Sequence, residues 1–254
     1  MSRQRQRIVL KFGSGVLAKP RGNALDAKQF KRIASEIAQL IGEGHQCVIV
    51  SSGAVAAGMS ALDLEERPAE LAVKQACAAV GQSKLMQTYA AMFARHGLGV
   101  AQLLLTHGDL DSRTRHANAK NTLQHLLACK NIVPIINEND SVAVEELRFG
   151  DNDRLSAEVA MLAQADLLIL LTSVDGLLDG EGKTVPLVTD IERASLLVRD
   201  EKGKFSVGGM QSKLQAVKIA VQAGIPTMIA SGRKAGQIPL IVAGHKVGTR
   251  FAVK

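Results

Sequence analysis

Residues Arg7–Gly15 have the sequence RIVLKFGSG, and this stretch decides the fold class. Its apolar run predicts a buried strand over Arg7–Phe12, and the glycines that follow predict a tight turn. The same order recurs at Gln46–Gly53, QCVIVSSG, where a second apolar strand ends in small residues. Strands this continuously apolar are typical of a parallel sheet that is covered on both faces.

Further apolar runs alternate with amphipathic segments along the rest of the chain. The predicted strands after the first are Gln46–Ser51, Gly99–Leu105, Asn131–Ile136, Asp166–Leu171 and Thr227–Ala230. The predicted helices are Asp26–Gly42, Pro68–His96, Ser112–Ala128, Arg154–Gln164 and Met210–Ala223. This alternation predicts an α/β fold, a three-layer αβα sandwich with a mostly parallel central sheet. Residues Ala143–Phe149 alternate with period two, which adds a small antiparallel hairpin beside it.

The composition is that of a globular domain and narrows the function classes. The 254 residues are 46% hydrophobic and carry a net charge of +7, from 31 Lys and Arg against 24 Asp and Glu. With no Trp and one Tyr, the chain lacks the stacking residues of single-strand nucleic-acid binders, so an anionic small molecule is the favoured partner. No apolar run is long enough to span a membrane, and no signal peptide is visible.

The three cysteines, Cys47, Cys77 and Cys129, form no C-x-x-C pair and are predicted to be buried thiols in a reducing cytoplasm. We expect a single domain over residues 1–254, since no Pro- or Ser-rich linker divides the chain. Two lobes of one sheet are expected within it, divided near Ala165. Ligands are expected above the carboxyl ends of the strands.

Two glycine-containing turns follow the first two strands. Lys11–Gly15 brings a cation and two glycines together, and Ser51–Gly58 begins a small-residue helix whose free N–H groups suit an anion. Gly13–Ala18 also matches the dinucleotide fingerprint G-x-G-x-x-A. That interpretation is disfavoured, because the second strand ends in serines rather than an acidic residue and Pro20 interrupts the helix that should follow.

Two segments rich in Asn and Asp flank the predicted hairpin. Asn137–Asp140 is NEND and Gly150–Asp153 is GDND. Turns and helix caps account for some of these residues. Two clusters this close predict acceptors gathered around an ammonium group or another cation, with a lysine held in place as one candidate. A metal cage is less favoured, since no His joins them and the spacing is not that of a calcium loop.

Lys213 ends the segment Gly208–Lys213, GGMQSK, in the predicted first turn of a helix. A cation, glycine amides and a helix N-terminus directed at one ligand suit a polyphosphate. The segment is not a Walker A loop, because G-x-x-x-x-G-K-[ST] occurs nowhere in the chain. An exposed lysine on an amphipathic helix remains the alternative. The six histidines show no pairing at i, i+4 and are predicted to lie at the surface.

These segments, in this order and over essentially the whole chain, resemble the amino acid kinase family. Lys11–Ser14 and Ser52–Ala54 are shared widely in that family, so they support only the superfamily. Ile136–Val142 and Phe149–Ala157 are more specific, and they are similar to the members that phosphorylate the γ-carboxylate of L-glutamate, the first step of proline biosynthesis. The resemblance implies the amino acid kinase fold and ATP-dependent phosphoryl transfer, with Mg²⁺ carried largely on ATP rather than by protein ligands.

The resemblance also implies roles for individual residues. Lys11 and Lys213 would contact the transferring phosphoryl group, and Asp153 would orient both lysines. The implied glutamate-binding residues are Ser52, Asp140 and Asn152, with Asn137 close by. The implied ATP-binding residues are Lys11, Gly13, Thr172, Ser173 and the loop formed by Val207, Gly208, Gly209, Met210, Gln211, Ser212 and Lys213.

Two positions depart from the family pattern. Ser206-Val207 stands where Gly-Thr usually precedes Gly-Gly-Met, and Ser173 stands where many members carry Asp. At Ser206-Val207 we therefore expect contact with phosphate from the backbone and not from a side chain. Many members also carry a C-terminal PUA domain, and a chain that stops at Lys254 resembles the shorter form.

The family further implies proline, the end product, as a feedback inhibitor, and we expect a cytoplasmic homo-oligomer. Three alternatives stay open. They are a family member with a different carboxylate or phosphate acceptor, a non-catalytic amino-acid or nucleotide sensor, and a nucleic-acid binder suggested by the net charge alone.

Overall fold

The computed structural model describes residues 5–20, 24–142, 152–200 and 207–253, and within them eight strands form one sheet. The strands are β1 Arg7–Phe12, β2 Gln46–Val50, β3 Gly99–Leu105, β4 Ile132–Glu138, β5 Leu167–Thr172, β6 Leu187–Val188, β7 Thr227–Ser231 and β8 Thr249–Phe251. Their order is β3-β4-β2-β1-β5-β7-β8-β6. Neighbours are parallel, apart from the antiparallel pair β7 and β8. The predicted hairpin at 143–149 lies outside the described residues.

Helices connect the strands, as a parallel sheet requires. Their bounds are α1 Ser14–Leu17, α2 Ala27–Gly42, α3 Ala54–Ala61, α4 Leu71–Ala94, α5 His107–Asp111, α6 Arg113–Ala128, α7 Asp153–Ala163, α8 Ile191–Asp200, α9 Val207–Gln222 and α10 Gln237–Val242. Several begin at side-chain caps that are visible in the sequence. The carboxylate of Asp26 accepts a hydrogen bond from the backbone N–H of Lys28 at the start of α2.

The side chains of β1 alternate between two apolar layers, one on each face of the sheet. Leu10 and Phe12 pack in a buried cluster with Phe30 of α2, while Val9 packs on the opposite face with Leu155 of α7. Burying each side chain of this size stabilises the fold by about 1.5–3 kcal/mol, so both faces must be covered by helices. The expected α/β sandwich with a mostly parallel sheet is confirmed.

Helices α3 and α4 touch backbone to backbone. A Cβ atom at Gly58 would lie 1.8 Å from the carbonyl oxygen of Cys77, and one at Gly81 would lie 1.8 Å from that of Ala54. Real Cβ atoms do not approach other atoms so closely, so only glycine fits either position. The contact holds the first turns of α3, next to the end of β2, in a fixed place against α4.

The predicted strands and long helices are present, with boundaries that differ from the predicted ones by at most three residues. The sequence analysis missed the strands β6 and β8 and the helices α1, α5, α8 and α10. Strands β6 and β8 have two and three residues, too few for a periodic pattern. Helix α10 contains Pro239 in its first turn, where proline is tolerated although it usually argues against a helix.

Two predictions about burial are wrong. Cys129 is exposed rather than buried, because it lies just past the end of α6. His45 is buried rather than at the surface, and its Nδ1 accepts a hydrogen bond from the backbone N–H of Gln6. Cys47 is buried as expected, and burial raises the pKa of its thiol to about 12. Among the described residues, no helix is both long and apolar enough to cross a membrane.

Candidate functional site

The candidate site lies where β1, at the middle of the sheet, ends between β2 and β5. The chain moves from β1 to β2 on one side and later crosses to β5 on the other side. Such a reversal opens a crevice above the carboxyl ends of the strands, where open α/β sheets bind ligands. Lys11 lies at the end of β1, and Asp153 and Lys213 reach it from α7 and α9.

Asp153 links both lysines. Its Oδ1 lies 2.5 Å from Lys11 Nζ, and its Oδ2 lies 3.0 Å from Lys213 Nζ. The side chain of Asp153 is fully buried, and those of Lys11 and Lys213 are 2% and 10% exposed. Two ammonium groups and one carboxylate leave a net formal charge of +1 on this trio. Two lysine ammonium groups that converge on one point of the crevice suit an anionic ligand.

The start of α9 supports this trio. Ser212 Oγ donates a hydrogen bond to Asp153 Oδ2 at 2.9 Å, and Lys213 Nζ donates one to the carbonyl oxygen of Gly209 at 2.9 Å. Side chains of a helix point back toward its N-terminus, which is why Lys213 reaches Gly209.

Two expectations about α9 need correction. Lys213 is the seventh residue of α9, in its second turn, and not in the first turn. Val207–Lys213, expected to be a loop, is the beginning of the helix itself. The physical reason is that Gly208 and Gly209 are tolerated within the first turn, where intrahelical hydrogen bonds are not yet complete.

A cluster of side-chain amides lies beside the trio. Asn152 Nδ2 donates hydrogen bonds of 2.6 Å to the backbone oxygen of Ser51 and to Oδ1 of Asn137. Asn137 is 1% exposed, and its Nδ2 donates to Oε1 of Gln82 on α4 at 2.8 Å. Gln82 Nε2 in turn donates to Oε1 of Gln102 on β3 at 2.8 Å. Asn152, from the segment Gly150–Asp153, is thereby hydrogen-bonded to Asn137, from the segment Asn137–Asp140.

Ser52 and Asp140 are the other two residues implied to bind glutamate. We call the part of the site formed by Ser52, Asn137, Asp140 and Asn152 the acceptor side. Ser52 is 8% exposed, and within the described ranges its Oγ has no hydrogen-bond partner. Asp140 follows β4 and is half-buried. Its neighbour Asn139 is hydrogen-bonded to β3, since the backbone N–H of Asn139 donates to the carbonyl oxygen of Leu105 at 3.0 Å.

The residues expected to bind ATP lie at the ends of β1 and β5 and at the start of α9. Thr172 ends β5 and is buried, with its carbonyl oxygen accepting from the N–H of Gly232, and Ser173 is exposed. Gly13 donates its N–H to the oxygen of Leu171 on β5 at 3.2 Å. A Cβ at Gly13 would lie 4.0 Å from Lys11 Nζ, so the backbone here runs close to the ammonium group.

One ion pair joins α5 to α7. His107 Nδ1 lies 2.8 Å from Glu158 Oε2, and Glu158 also accepts from Nε of Arg154 at 2.9 Å. The hydrogen bond to Glu158 raises the pKa of His107 despite partial burial, and Glu138 adds to this. Burial raises the pKa of Glu158, but His107 and Arg154 together outweigh burial and lower it below its usual value.

Sequence reasoning missed Gln82 and the pair formed by His107 and Glu158, and it assigned Ser212 to ATP without foreseeing the hydrogen bond of Ser212 to Asp153. Ser212 is adjacent to Lys213, and a hydroxyl on that turn was the available signal. Gln82 and Glu158 lie on long helices with no local motif, so no pattern in the sequence pointed to them. In the residues that the structure covers, no group of three or more His, Cys, Asp or Glu side chains could hold a metal ion.

Comparisons with known proteins identify the family of this chain. A family model described as the amino acid kinase family matches residues 6–231. The glutamate 5-kinase of Citrifermentans bemidjiense is 46% identical over 253 residues, covering 97% of this chain and 67% of that protein. The glutamate 5-kinase of Thermus thermophilus is 48% identical over 252 residues, again covering 97% and 67%. That of Synechocystis sp. is 45% identical over 259 residues, covering 99% of this chain and 69% of that protein.

A solved structure supports the fold alone. UMP kinase from Bacillus anthracis matches with a TM-score of 0.67 and 16% identity, covering 98% of this chain and 96% of that one. Identity this low shows a shared architecture, and the acceptor of that enzyme carries no argument about this one.

Proposed function

The chain belongs to the amino acid kinase family, and from that membership we propose that it transfers the γ-phosphoryl group of ATP to the γ-carboxylate of L-glutamate. The product is L-glutamyl 5-phosphate, and the reaction is the first step of proline biosynthesis. The enzyme is a phosphotransferase with a carboxyl group as acceptor.

The observation that carries the proposal is the buried trio of Lys11, Asp153 and Lys213. Phosphoryl transfer needs positive charge against the transferring oxygens and in-line positioning more than it needs covalent chemistry. Two ammonium groups held by one carboxylate supply that charge without reorganising during the reaction. In this assignment Lys11 and Lys213 contact the phosphoryl group, and Asp153 orients them.

The acceptor needs no general base. A glutamate side chain has an ordinary pKa near 4.3, so the attacking carboxylate is already ionised at neutral pH. Binding of the amino acid falls to Ser52, Asn137, Asp140 and Asn152. The carboxylate of Asp140 would pair with the substrate ammonium group, and the amides and Ser52 would hydrogen-bond the remaining polar atoms.

ATP is proposed to bind on the other side of the trio. The nucleotide site comprises Lys11, Gly13, Thr172, Ser173 and the α9 segment formed by Val207, Gly208, Gly209, Met210, Gln211, Ser212 and Lys213. The N-terminus of α9 suits the phosphates, since its backbone N–H groups lack intrahelical partners. Mg²⁺ would enter bound to the phosphates of ATP and keep several of its waters.

In this proposal the two lobes bind different substrates. Residues 1–165 would bind the amino acid and residues 166–254 would bind ATP, with β1 and β5 at their boundary. We further propose a cytoplasmic homo-oligomer inhibited by proline. Proline shares an α-carboxylate and an α-nitrogen with glutamate but has no side-chain carboxylate to phosphorylate, so it suits the acceptor cluster around Asn137, Asp140 and Asn152.

A coupled ADP-release assay tests the proposed function. L-glutamate is compared with N-acetylglutamate, aspartate and UMP, each with ATP and Mg²⁺, and the acyl phosphate is trapped with hydroxylamine. We expect hydroxamate formation with glutamate at a rate at least tenfold above the others. Faster turnover of another acceptor would assign the chain to a different branch of the family, and binding of glutamate and ATP without ADP release would favour a sensor.

A further inference from the structure

Four side-chain amides form one continuous hydrogen-bonded chain across the acceptor side of the site. The chain runs from Asn152 through Asn137 and Gln82 to Gln102, with donor-to-acceptor distances of 2.6, 2.8 and 2.8 Å. It joins α7, β4, α4 and β3. An amide can present either its oxygen or its nitrogen to a neighbour, so the direction of such a chain needs an anchor.

The backbone carbonyl of Ser51 is that anchor. A carbonyl oxygen only accepts, so the atom of Asn152 that lies 2.6 Å from it is the nitrogen. The same nitrogen donates to Asn137 Oδ1, which leaves Asn137 Nδ2 facing Gln82. Gln82 must therefore present an oxygen to Asn137, and its own nitrogen faces Gln102.

The anchor also decides which atom of Asn152 remains for a ligand. Its nitrogen is committed to Ser51 and Asn137, and among the described residues nothing donates to its Oδ1. Asn152 is half-buried, at the start of α7 beside Asp153. A ligand at this position therefore meets an acceptor, which matches a donor such as an α-ammonium group and mismatches a carboxylate.

We propose that Gln82 is a positioning residue for the acceptor substrate, because its amide oxygen holds Asn137, and Asn137 together with the Ser51 carbonyl holds Asn152 with its Oδ1 presented to the α-ammonium group of glutamate. This inference rests on the proposed function and names a residue outside the set assigned above. Gln82 acts through Asn137, which is buried and donates its Nδ2 hydrogen bond to Gln82.

The place of Gln82 is set by the contact between α3 and α4. Its neighbour Gly81 lies against the carbonyl of Ala54, where even a Cβ would meet that oxygen at 1.8 Å. Ala54 begins α3, three residues after the Ser51 carbonyl that anchors the amide chain. The Ser51 carbonyl and Gln82 are thus positioned by the same tightly packed pair of helices, α3 and α4.

The test replaces Gln82 and compares two ligands that differ only in the ammonium group. Gln82→Met keeps the length of the side chain and removes its acceptor. We expect the KM for glutamate to rise about tenfold, the scale of one neutral hydrogen bond, with kcat and the KM for ATP within about twofold. The inhibition constant of glutarate, which lacks the ammonium group, should change by less than about twofold.

Two further variants serve as matched controls. Gln82→Glu still accepts from Asn137, and the exposed Gln102 can turn its nitrogen toward the new carboxylate, so the KM for glutamate should stay within about threefold. Gln102→Ala removes the end of the chain beyond Gln82 and should behave like the wild type. Circular dichroism checks that each variant is folded.

The outcomes separate the inference from the proposed function. An unchanged KM for glutamate in Gln82→Met, or an equal loss for glutarate, overturns the inference while glutamate phosphorylation by the wild type stands. If Gln82→Met does not fold, a tenfold rise in KM for Gln82→Glu overturns it instead. A wild-type protein that does not phosphorylate glutamate overturns the proposed function and this inference with it.

Discussion

Lys11 Nζ lies 2.5 Å from Asp153 Oδ1, although 142 residues separate them along the chain. The contact exists only when β1 and α7 are packed together, and both side chains are buried there. Removing one partner of such a pair leaves an uncompensated buried charge, which typically costs about 3–5 kcal/mol. The pair of Lys11 and Asp153 therefore contributes to the stability of the fold and also belongs to the site to which we assign phosphoryl transfer.

Replacing either lysine tests the phosphoryl-transfer assignment. We expect Lys11→Ala and Lys213→Ala each to lower kcat by about 10²-fold or more, with a much smaller change in the KM for glutamate. A cation against the transferring group stabilises mostly the transition state. Lys218→Ala is the matched control, since Lys218 lies on the same helix and pairs with Glu192 at the surface. Activity within a few-fold of wild type in Lys11→Ala or Lys213→Ala would remove the replaced lysine from the mechanism.

Substitution of Asp140 tests which side of the trio binds the amino acid. Asp140→Ala should raise the KM for glutamate strongly and leave ATP binding nearly unchanged, because its carboxylate is assigned to the substrate ammonium group. Asn152→Ala should act in the same direction and more mildly, as a neutral hydrogen bond is weaker than a charge-assisted one. Loss of ATP affinity with an unchanged KM for glutamate would reverse the assignment of the two lobes.

Proline titrations test the proposed regulation. Proline should inhibit at low glutamate, and saturating glutamate should relieve the inhibition, because both would occupy the same acceptor cluster. Initial rates at low and high glutamate, each with and without millimolar proline, measure this. Inhibition that is indifferent to glutamate but relieved by ATP would place the effector elsewhere.

The contact between α3 and α4 predicts a sharp difference between glycines. Gly58→Ala and Gly81→Ala should each lower the free energy of unfolding by about 2 kcal/mol or more, because backbone atoms must move to admit the methyl group. Gly42→Ala, in the last turn of α2 with nothing within 4 Å of the added Cβ, should be neutral or stabilising by up to about 1 kcal/mol. Urea unfolding of the three variants measures both; similar values for all three would contradict the close contact.

The pair of His107 and Glu158 predicts a pH-dependent contribution to stability. The folded protein raises the pKa of His107, mainly through the hydrogen bond to Glu158, so this stabilisation is present below the ordinary pKa of histidine and is lost as pH rises through the raised value. His107→Gln should therefore cost about 1 kcal/mol at pH 6 and less at pH 9. Denaturant unfolding at both pH values checks this. An equal cost at both would show that the charge of His107 contributes nothing.

Much of the fold followed from local sequence. The continuous apolar runs of β1 and β2 and the cap at Asp26 are properties of neighbouring residues, so they predict strands, a helix start and a covered parallel sheet without tertiary information. A capping signal was also available for the missed α8, because the Asp190 side chain accepts from the N–H of Arg193. The family resemblance at Ile136–Val142 was likewise contained in the sequence.

Only the tertiary structure decided which of these residues meet. Strand order placed β1 beside β5 and brought Lys11, Asp153 and Lys213 to one point, and helix packing carried Gln82 to Asn137. The burial of His45 and the exposure of Cys129 were decided in the same way. Periodicity reports which face of an element is apolar, whereas a hydrogen bond or ion pair depends on distance between elements far apart in the chain. Those distances are set by the packing of the whole sheet and its helices, so no local pattern contains them.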